Sequence, residues 1–392
     1  MIRPVARRAL DRSRPALVAA VLAALALSAC SASKDSAGNR QSAPGAAKFA
    51  AKARADVTAA TARQTSVTDP VRSSGPRPVR DKSIVVIPCS MSVEGCARPA
   101  RSTVAAARAI GWTARIDDPA SDVTKMSAAI QRAISSRADG IVLTSIDAAA
   151  VQNDLKAARK AGIAVVCNMC GNAGNLYQAV VPPLDENERA GYLLGEFAYV
   201  EARKRFNAPP KFVIMTDDEF ETVKARTRGI KKFIADCKAA GAGCRTVAEG
   251  SHLASEISTV APGRVVQLVR SHPDYNVLFA GFDAALNFFA KGLQQAGLAQ
   301  PGKAFGVSVD ADVANTQMIR TGGYQAAAVG FAFARAGYAH VDNLNRIFQG
   351  QQPVDQGLRG KLIIKEDVPS NGKAWEGDFD AGALYRKTWG LK

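Results

Sequence analysis

AAIQRAISSRADGIVLTSIDAAAVQNDLKAARKAGIAVV, residues 128 to 166, states one structural pattern twice. Ala128, Ala129, Ile130, Ala133 and Ile134 recur at helical spacing. Asp139-Gly140 then turns the chain into the β-branched run Ile141-Val-Leu-Thr144. A second apolar face follows on Val151, Leu155 and Ala158, and Ala161-Gly162 ends it before Ile163-Ala-Val-Val166. Glycine at these stops suits a helix C-terminus, and short β-branched runs suit buried strands. The stretch reads as helix–strand–helix–strand.

The alternation extends in both directions. Further short runs occur at 83–87, 114–116, 178–181, 212–215, 245–247, 276–279, 305–309 and 325–329. Ala-rich amphipathic segments lie between most of them, at 97–110, 122–137, 148–161, 186–205, 222–240, 255–271, 284–296, 311–320 and 331–349. Strand–helix alternation predicts an α/β protein whose parallel sheets are covered by helices on both faces. Ten strands are many for one sheet, so two similar α/β lobes are expected. Ligands of open α/β sheets sit beyond the carboxyl ends of strands. That rule selects the loops 88–96, 167–175, 216–228, 280–284, 310–312 and 330–333.

The amino-terminal end reads differently. Arg3, Arg7, Arg8, Arg12 and Arg14 precede the uncharged run Ala16–Leu27. About twelve residues span roughly 18 Å as a helix, too short for a hydrocarbon core of ~30 Å. The segment reads as an export signal over residues 1–29. Leu27-Ser-Ala-Cys30 is similar to the bacterial lipobox, which implies cleavage before Cys30 and diacylglycerol on its sulfur. Residues 1–80 carry 14 Lys and Arg against 4 Asp and Glu, whereas 81–392 carry 37 against 31. Most of the +16 net charge is therefore amino-terminal, and beside a lipidated cysteine it suits an anionic membrane surface. No nucleic-acid partner is expected. Residues 30–80, rich in Ala, Ser, Thr, Arg and Pro, read as a disordered tether with a marginal helix near 46–64.

Without Cys30, six cysteines remain, in three local couples: Cys89 and Cys96, Cys167 and Cys170, Cys237 and Cys244. An even number in an exported chain suggests disulfides, and proximity favours these couples, although sequence leaves connectivity open. Cys167-Asn-Met-Cys170 lacks a second ligand pair for a metal, and His252, His272 and His340 are not at ligand spacing. No metal and no cofactor are expected.

Four stretches carry a family resemblance: 129–143, 157–166, 272–286 (His272-Pro-Asp-Tyr-Asn-Val-Leu-Phe-Ala-Gly-Phe-Asp-Ala-Ala-Leu286) and 319–329. In this order they resemble the type I periplasmic binding proteins, ribose/galactose-like branch, over about residues 82–365. The resemblance implies two Rossmann-like doubly wound lobes joined by a three-strand hinge. It puts one lobe at 81–182 and 331–358 and the other at 183–330 and 359–392. It also implies a small-molecule solute clamped between lobes, an ABC importer permease with its ATPase as partner, and a monomer held to the membrane by its lipid. A sensor handing the solute to a chemoreceptor or histidine kinase is the alternative.

Carried over position by position, the family's solute contacts fall on Ser90 and Met91 after the first strand, Asn168 and Met169 after the fourth, and Arg228 after the sixth. Phe282 and Asp283 follow the eighth strand and Asp310 the ninth. Five of the eight have a structural alternative. Asp283 and Asp310 suit helix N-caps, Arg228 a solvated basic face, Asn168 a turn, and Phe282 core packing. Met169 and Phe282 make the expected cleft more apolar than a simple sugar site, so the expected solute is a carbohydrate-like or partly apolar or aromatic molecule. No Gly-x-Ser-x-Gly elbow or Gly-rich phosphate loop with Lys is present, and three histidines leave little for acid–base catalysis. An enzyme is not expected.

Overall fold

The computed structural model describes residues 44–64 and 75–391. The expected export signal and the expected lipidation site, Cys30, lie outside the described residues. The first described element is a helix, α1 (Pro44–Thr61). The first lobe then runs β1 (Ser83–Pro88), α2 (Glu94–Ala109), β2 (Thr113–Ile116), α3 (Val123–Ser135), β3 (Gly140–Thr144), α4 (Gln152–Lys160), β4 (Ala164–Asn168) and β5 (Ala179–Val181). Its five strands are all parallel, in the order β2-β1-β3-β4-β5.

The second lobe runs α5 (Leu184–Phe206), β6 (Lys211–Thr216), α6 (Glu221–Ala239), β7 (Arg245–Ser251), α7 (Ala261–Ser271), β8 (Val277–Ala280), α8 (Asp283–Gln295), β9 (Phe305–Val309), α9 (Val313–Arg320) and β10 (Gln325–Gly330). The chain returns to the first lobe with α10 (Phe333–Phe348), crosses again to β11 (Lys361–Ile363), and ends with α11 (Ala381–Thr388). The second sheet has the order β11-β10-β9-β8-β6-β7, and β11 alone runs antiparallel.

Alternating side chains show why each sheet is covered twice. Ile84, Val86, Val142 and Val166 share one buried cluster with Ala100 of α2 and Ala336 of α10. Their neighbours Val85, Ile87, Ile141 and Val165 pack instead with Ile130 of α3 and Leu155 of α4. In the second lobe Phe212 and Ile214 meet Leu194 of α5 and Phe233 of α6, while Val213 and Met215 meet Val265 of α7 and Phe289 of α8. Both lobes are thus doubly wound, and the ten β-branched runs read from sequence are its first ten strands.

Two expectations are corrected. The helix expected near 46–64 is present as α1, but it is not part of a free tether: it packs on the second lobe. Ala46, Phe49, Ala53 and Val57 fall on one face. Phe49 lies 5.5 Å, centroid to centroid, from both Tyr199 and Phe233, and Lys52 reaches Glu196 at 3.2 Å. Residues 359–392 do not all belong to the second lobe. Tyr385 of α11 stacks on Tyr338 of α10 at 5.6 Å, and the Trp389 indole N–H donates to Asp342 at 2.8 Å. These aromatic residues bury their area against the first lobe instead.

Candidate ligand-binding cleft

The carboxyl ends of both sheets face one cavity of about 620 Å³, counting its solvent-open mouth. From the first lobe it is lined by the Cys89–Cys96 loop after β1, Ser121 after β2, Ser145 after β3 and Met169 after β4. From the second come Phe220, Thr222, Val223 and Arg226 after β6, Ala254 and Ile257 after β7, Phe282 after β8 and Asp310 after β9. Every lining residue thus follows the end of a parallel strand.

The lobes touch around the cavity. The Glu221 N–H donates to Asp147 Oδ2 at 2.8 Å, and the Val313 N–H donates to Glu94 Oε2 at 3.3 Å. Desolvation pushes the Asp147 carboxyl above its usual range. Cys89 and Cys96 stand at disulfide distance, Cα–Cα 5.9 Å, and close the loop that forms one wall. The other two couples also stand at disulfide distance, Cα–Cα 6.1 Å for Cys167 and Cys170 and 5.7 Å for Cys237 and Cys244.

Among the described residues Arg226 is the only cation on the wall, and its guanidinium is built in from all sides. Nε donates to Asn187 Oδ1 at 3.0 Å and Nη1 to the Gly281 carbonyl at 2.9 Å. Nη2 donates to Asp310 Oδ1 at 3.2 Å and lies 3.3 Å from Met169 Sδ across the cleft. Burial pushes the Asp310 carboxyl up, and Arg226 and Arg98 oppose that shift. Asp310 has φ 120°, Ala311 φ 54° and Met169 φ 52°, a cluster of left-handed conformations in non-glycine residues at the cavity.

Arg228, expected here, faces away. Its side chain is 51% exposed and pairs with Glu188 at 3.4 Å, whereas that of Arg226 is 4% exposed. The cause is the crossing of α5 and α6. A Cβ on Gly191 would stand 1.9 Å from the Arg226 carbonyl, and one on Gly229 would stand 1.9 Å from that of Glu188. The backbones touch, which fixes the face of α6 bearing Val223, Arg226 and Ile230 inward. Two residues along, about 200° around the helix, Arg228 points to solvent.

Of the other expected contacts, Met169, Phe282 and Asp310 line the cavity, and four residues do not. Ser90 is buried in its own loop, hydrogen-bonded to Ser92 Oγ at 2.8 Å. Met91 packs against the central apolar cluster. Asn168 is fully buried at the end of β4, beside its register partner Thr144. Its side-chain Oδ1 and Nδ2 have no hydrogen-bond partner among the described residues, and it does not line the cavity. Asp283 works inside the second lobe, accepting from the Asp312 N–H at 2.8 Å and from Gln325 Nε2 at 3.1 Å, with Ser308 Oγ also donating. Burial and nearby Asp310 push its carboxyl up to about 7.

Two doubly wound lobes that meet over an apolar cavity at their strand ends have the architecture of a two-lobed binding protein. A sequence model of the periplasmic binding protein domain matches residues 84–352, and the chain belongs to that family. Members are extracytoplasmic and carry solutes without transforming them. Comparison with curated protein sequences returns no match. Among solved structures, an ABC transporter solute-binding protein from Burkholderia graminis C4D1M in complex with D-arabinose is 21% identical, over 74% of this chain and 98% of its own, with a TM-score of 0.65. A 5-methylthioribose transporter solute-binding protein from Thermotoga lettingae TMO, in complex with 5-methylthioribose, is 17% identical, over 81% and 99%, with a TM-score of 0.63. A glucose–galactose binding protein from Geobacillus stearothermophilus is 20% identical, over 74% and 99%, with a TM-score of 0.61. These likenesses show the type I periplasmic binding protein fold.

Proposed function

We propose that this chain captures a neutral, carbohydrate-like solute bearing an apolar or aromatic portion, and delivers it to an ABC importer permease. The observation that carries the reading is the charge balance of the cavity wall. Among the described residues its one cation, Arg226, is answered by its one carboxylate, Asp310, at 3.2 Å. An acidic solute would have to displace a buried internal partner. A hydroxyl needs only one acceptor lone pair of Asp310 and a remaining guanidinium N–H. Phe220, Phe282, Ile257 and Val93 supply apolar walls for the rest of the molecule. The neighbours bound to D-arabinose and to 5-methylthioribose support a polyhydroxylated solute.

The proposed partners follow from the family and from the amino-terminal sequence. Cleavage after Ala29 and lipidation of Cys30 would hold a monomer at the outer face of the membrane beside its permease. Titration calorimetry of the purified protein against pentoses, 5-methylthioribose, nucleosides, aromatic glycosides and sugar acids tests the solute. Micromolar binding of a neutral member is expected. A panel in which only sugar acids bind, or nothing binds, would sink the reading. Mass spectrometry of the membrane-extracted protein tests the lipid at Cys30.

A further inference from the structure

The family match ends at residue 352, yet the chain continues across both lobes. β11 joins the second sheet at Lys361–Ile363, and α11 packs on α10 of the first lobe, so residues 364–380 form a strap between them. In mid-strap the Trp375 N–H donates to the Ala311 carbonyl at 3.3 Å, and Glu376 Oε2 accepts from the Ala334 N–H at 2.7 Å. The Arg98 side chain enters this junction from α2. Its Nε donates to Glu376 Oε1 at 2.8 Å and its Nη2 to the Trp375 carbonyl at 2.7 Å. Its Nη1 donates to Asp312 Oδ1 at 2.7 Å and to the Asp310 carbonyl at 3.1 Å. The guanidinium also lies 4.8 Å from the Phe333 ring centroid.

Three separate parts therefore meet at one cation: a first-lobe helix, the second-lobe loop that presents Asp310, and the carboxy-terminal strap. The Arg98 side chain is 6% exposed, so its charge is balanced by these partners and not by water. The loop it holds contains the left-handed residues Asp310 and Ala311.

We propose that Arg98 and the strap form a latch that holds the lobes closed and keeps Asp310 aimed into the cleft. Arg98 is then a positioning residue that does not line the cavity. The inference rests on the closing of this cleft, but its test needs no solute. Small-angle scattering of the full chain is compared with that of Arg98→Met and Glu376→Gln. An opening shift of about 1 Å is expected for Arg98→Met, on a radius of gyration of roughly 20 Å for a compact chain of this size. Glu376→Gln should shift the same way by less, and the double variant no further than Arg98→Met alone, because both changes break one junction. A folded Arg98→Met protein whose scattering matches the wild type overturns the latch. So does a wild-type curve that is already fully open. Should Arg98→Met fail to fold, Glu376→Gln, which leaves Asp312 paired, decides on the same criterion. A solute screen that finds no ligand would refute the proposed function and leave this result standing.

Discussion

Arg226 Nη2 stands 3.2 Å from Asp310 Oδ1, and the two side chains are 4% and 8% exposed. Arg226 comes from helix α6 and Asp310 from the loop after β9, both in the second lobe, and the Met169 sulfur of the first lobe closes on the same guanidinium. Removing one partner of such a pair leaves the other charge buried and unanswered. Arg226→Met should cost about 3–5 kcal/mol in urea unfolding and abolish solute binding. Arg228→Met, two residues away on the exposed face, should stay within about 0.5 kcal/mol and bind normally. Equal effects of the two variants would refute the assignment.

The cysteine couples 89/96 and 237/244 have the same sequence separation of 7, so closing either loop removes a similar amount of unfolded-state entropy. Replacing either couple by serine should cost about 2–3 kcal/mol. Only the first lines the cavity. Calorimetry should therefore find solute affinity reduced in the Cys89→Ser/Cys96→Ser protein and unchanged in the Cys237→Ser/Cys244→Ser protein.

Gly191 tests the helix crossing that aims Arg226. A single methyl there meets backbone, not a yielding side chain, so α5 and α6 must separate. Gly191→Ala should destabilise by about 1–3 kcal/mol or more and weaken solute binding as well, since Arg226 moves with its helix. Gly297, where an added Cβ meets nothing within 4 Å but φ is 71°, serves as a control. Its alanine variant should lose stability through strain alone and keep its affinity.

Docking of α1 carries its own pH signature. Burial, together with Asp56, pushes the Glu196 carboxyl from 4.5 up to about 8, against the opposing pull of Lys52. The folded state then holds a proton that the unfolded state releases. The stabilisation from this group is complete below pH 4.5 and is lost as pH rises to about 8. Glu196→Gln should lose less stability than the wild type between pH 5 and 8, measured by thermal melts at matched ionic strength. A steeper loss in the variant would contradict the assignment.

Particular residues show what was legible in the sequence. The strands were readable because Ile-Val-Leu and Val-Val runs buried on both faces have few other uses in a soluble lobe. Asp310, Met169 and Phe282 were reachable by the rule that strand ends make sites. Arg226 was not, since Ala225-Arg-Thr-Arg-Gly229 offers two arginines and only contact between Gly191 and Gly229 decides which faces inward. Helix α1 was legible only as a marginal helix near 46–64, and its docking face was hidden by averaging. Its stretch is poor in large apolar residues, but Ala46, Phe49 and Ala53 bury one face at helical spacing. Ser90 sits in the right loop, but its hydrogen bond to Ser92 holds it inside that loop, and Asn168 is fully buried at the end of β4 without lining the cavity.

The conformation of Asp310 sets a conflict for any selection on heat resistance alone. A residue at φ 120° is one that glycine occupies with less strain. Asp310→Gly would relax the backbone and remove a buried carboxylate, yet it would strip the cleft of its acceptor and leave Arg226 unanswered. A library screened for survival at high temperature, with compensating changes at Arg226 permitted, should drift toward glycine at this position. The survivors would be sturdier proteins that lack the proposed recognition group, so robustness and the proposed capture of solute pull this position in opposite directions.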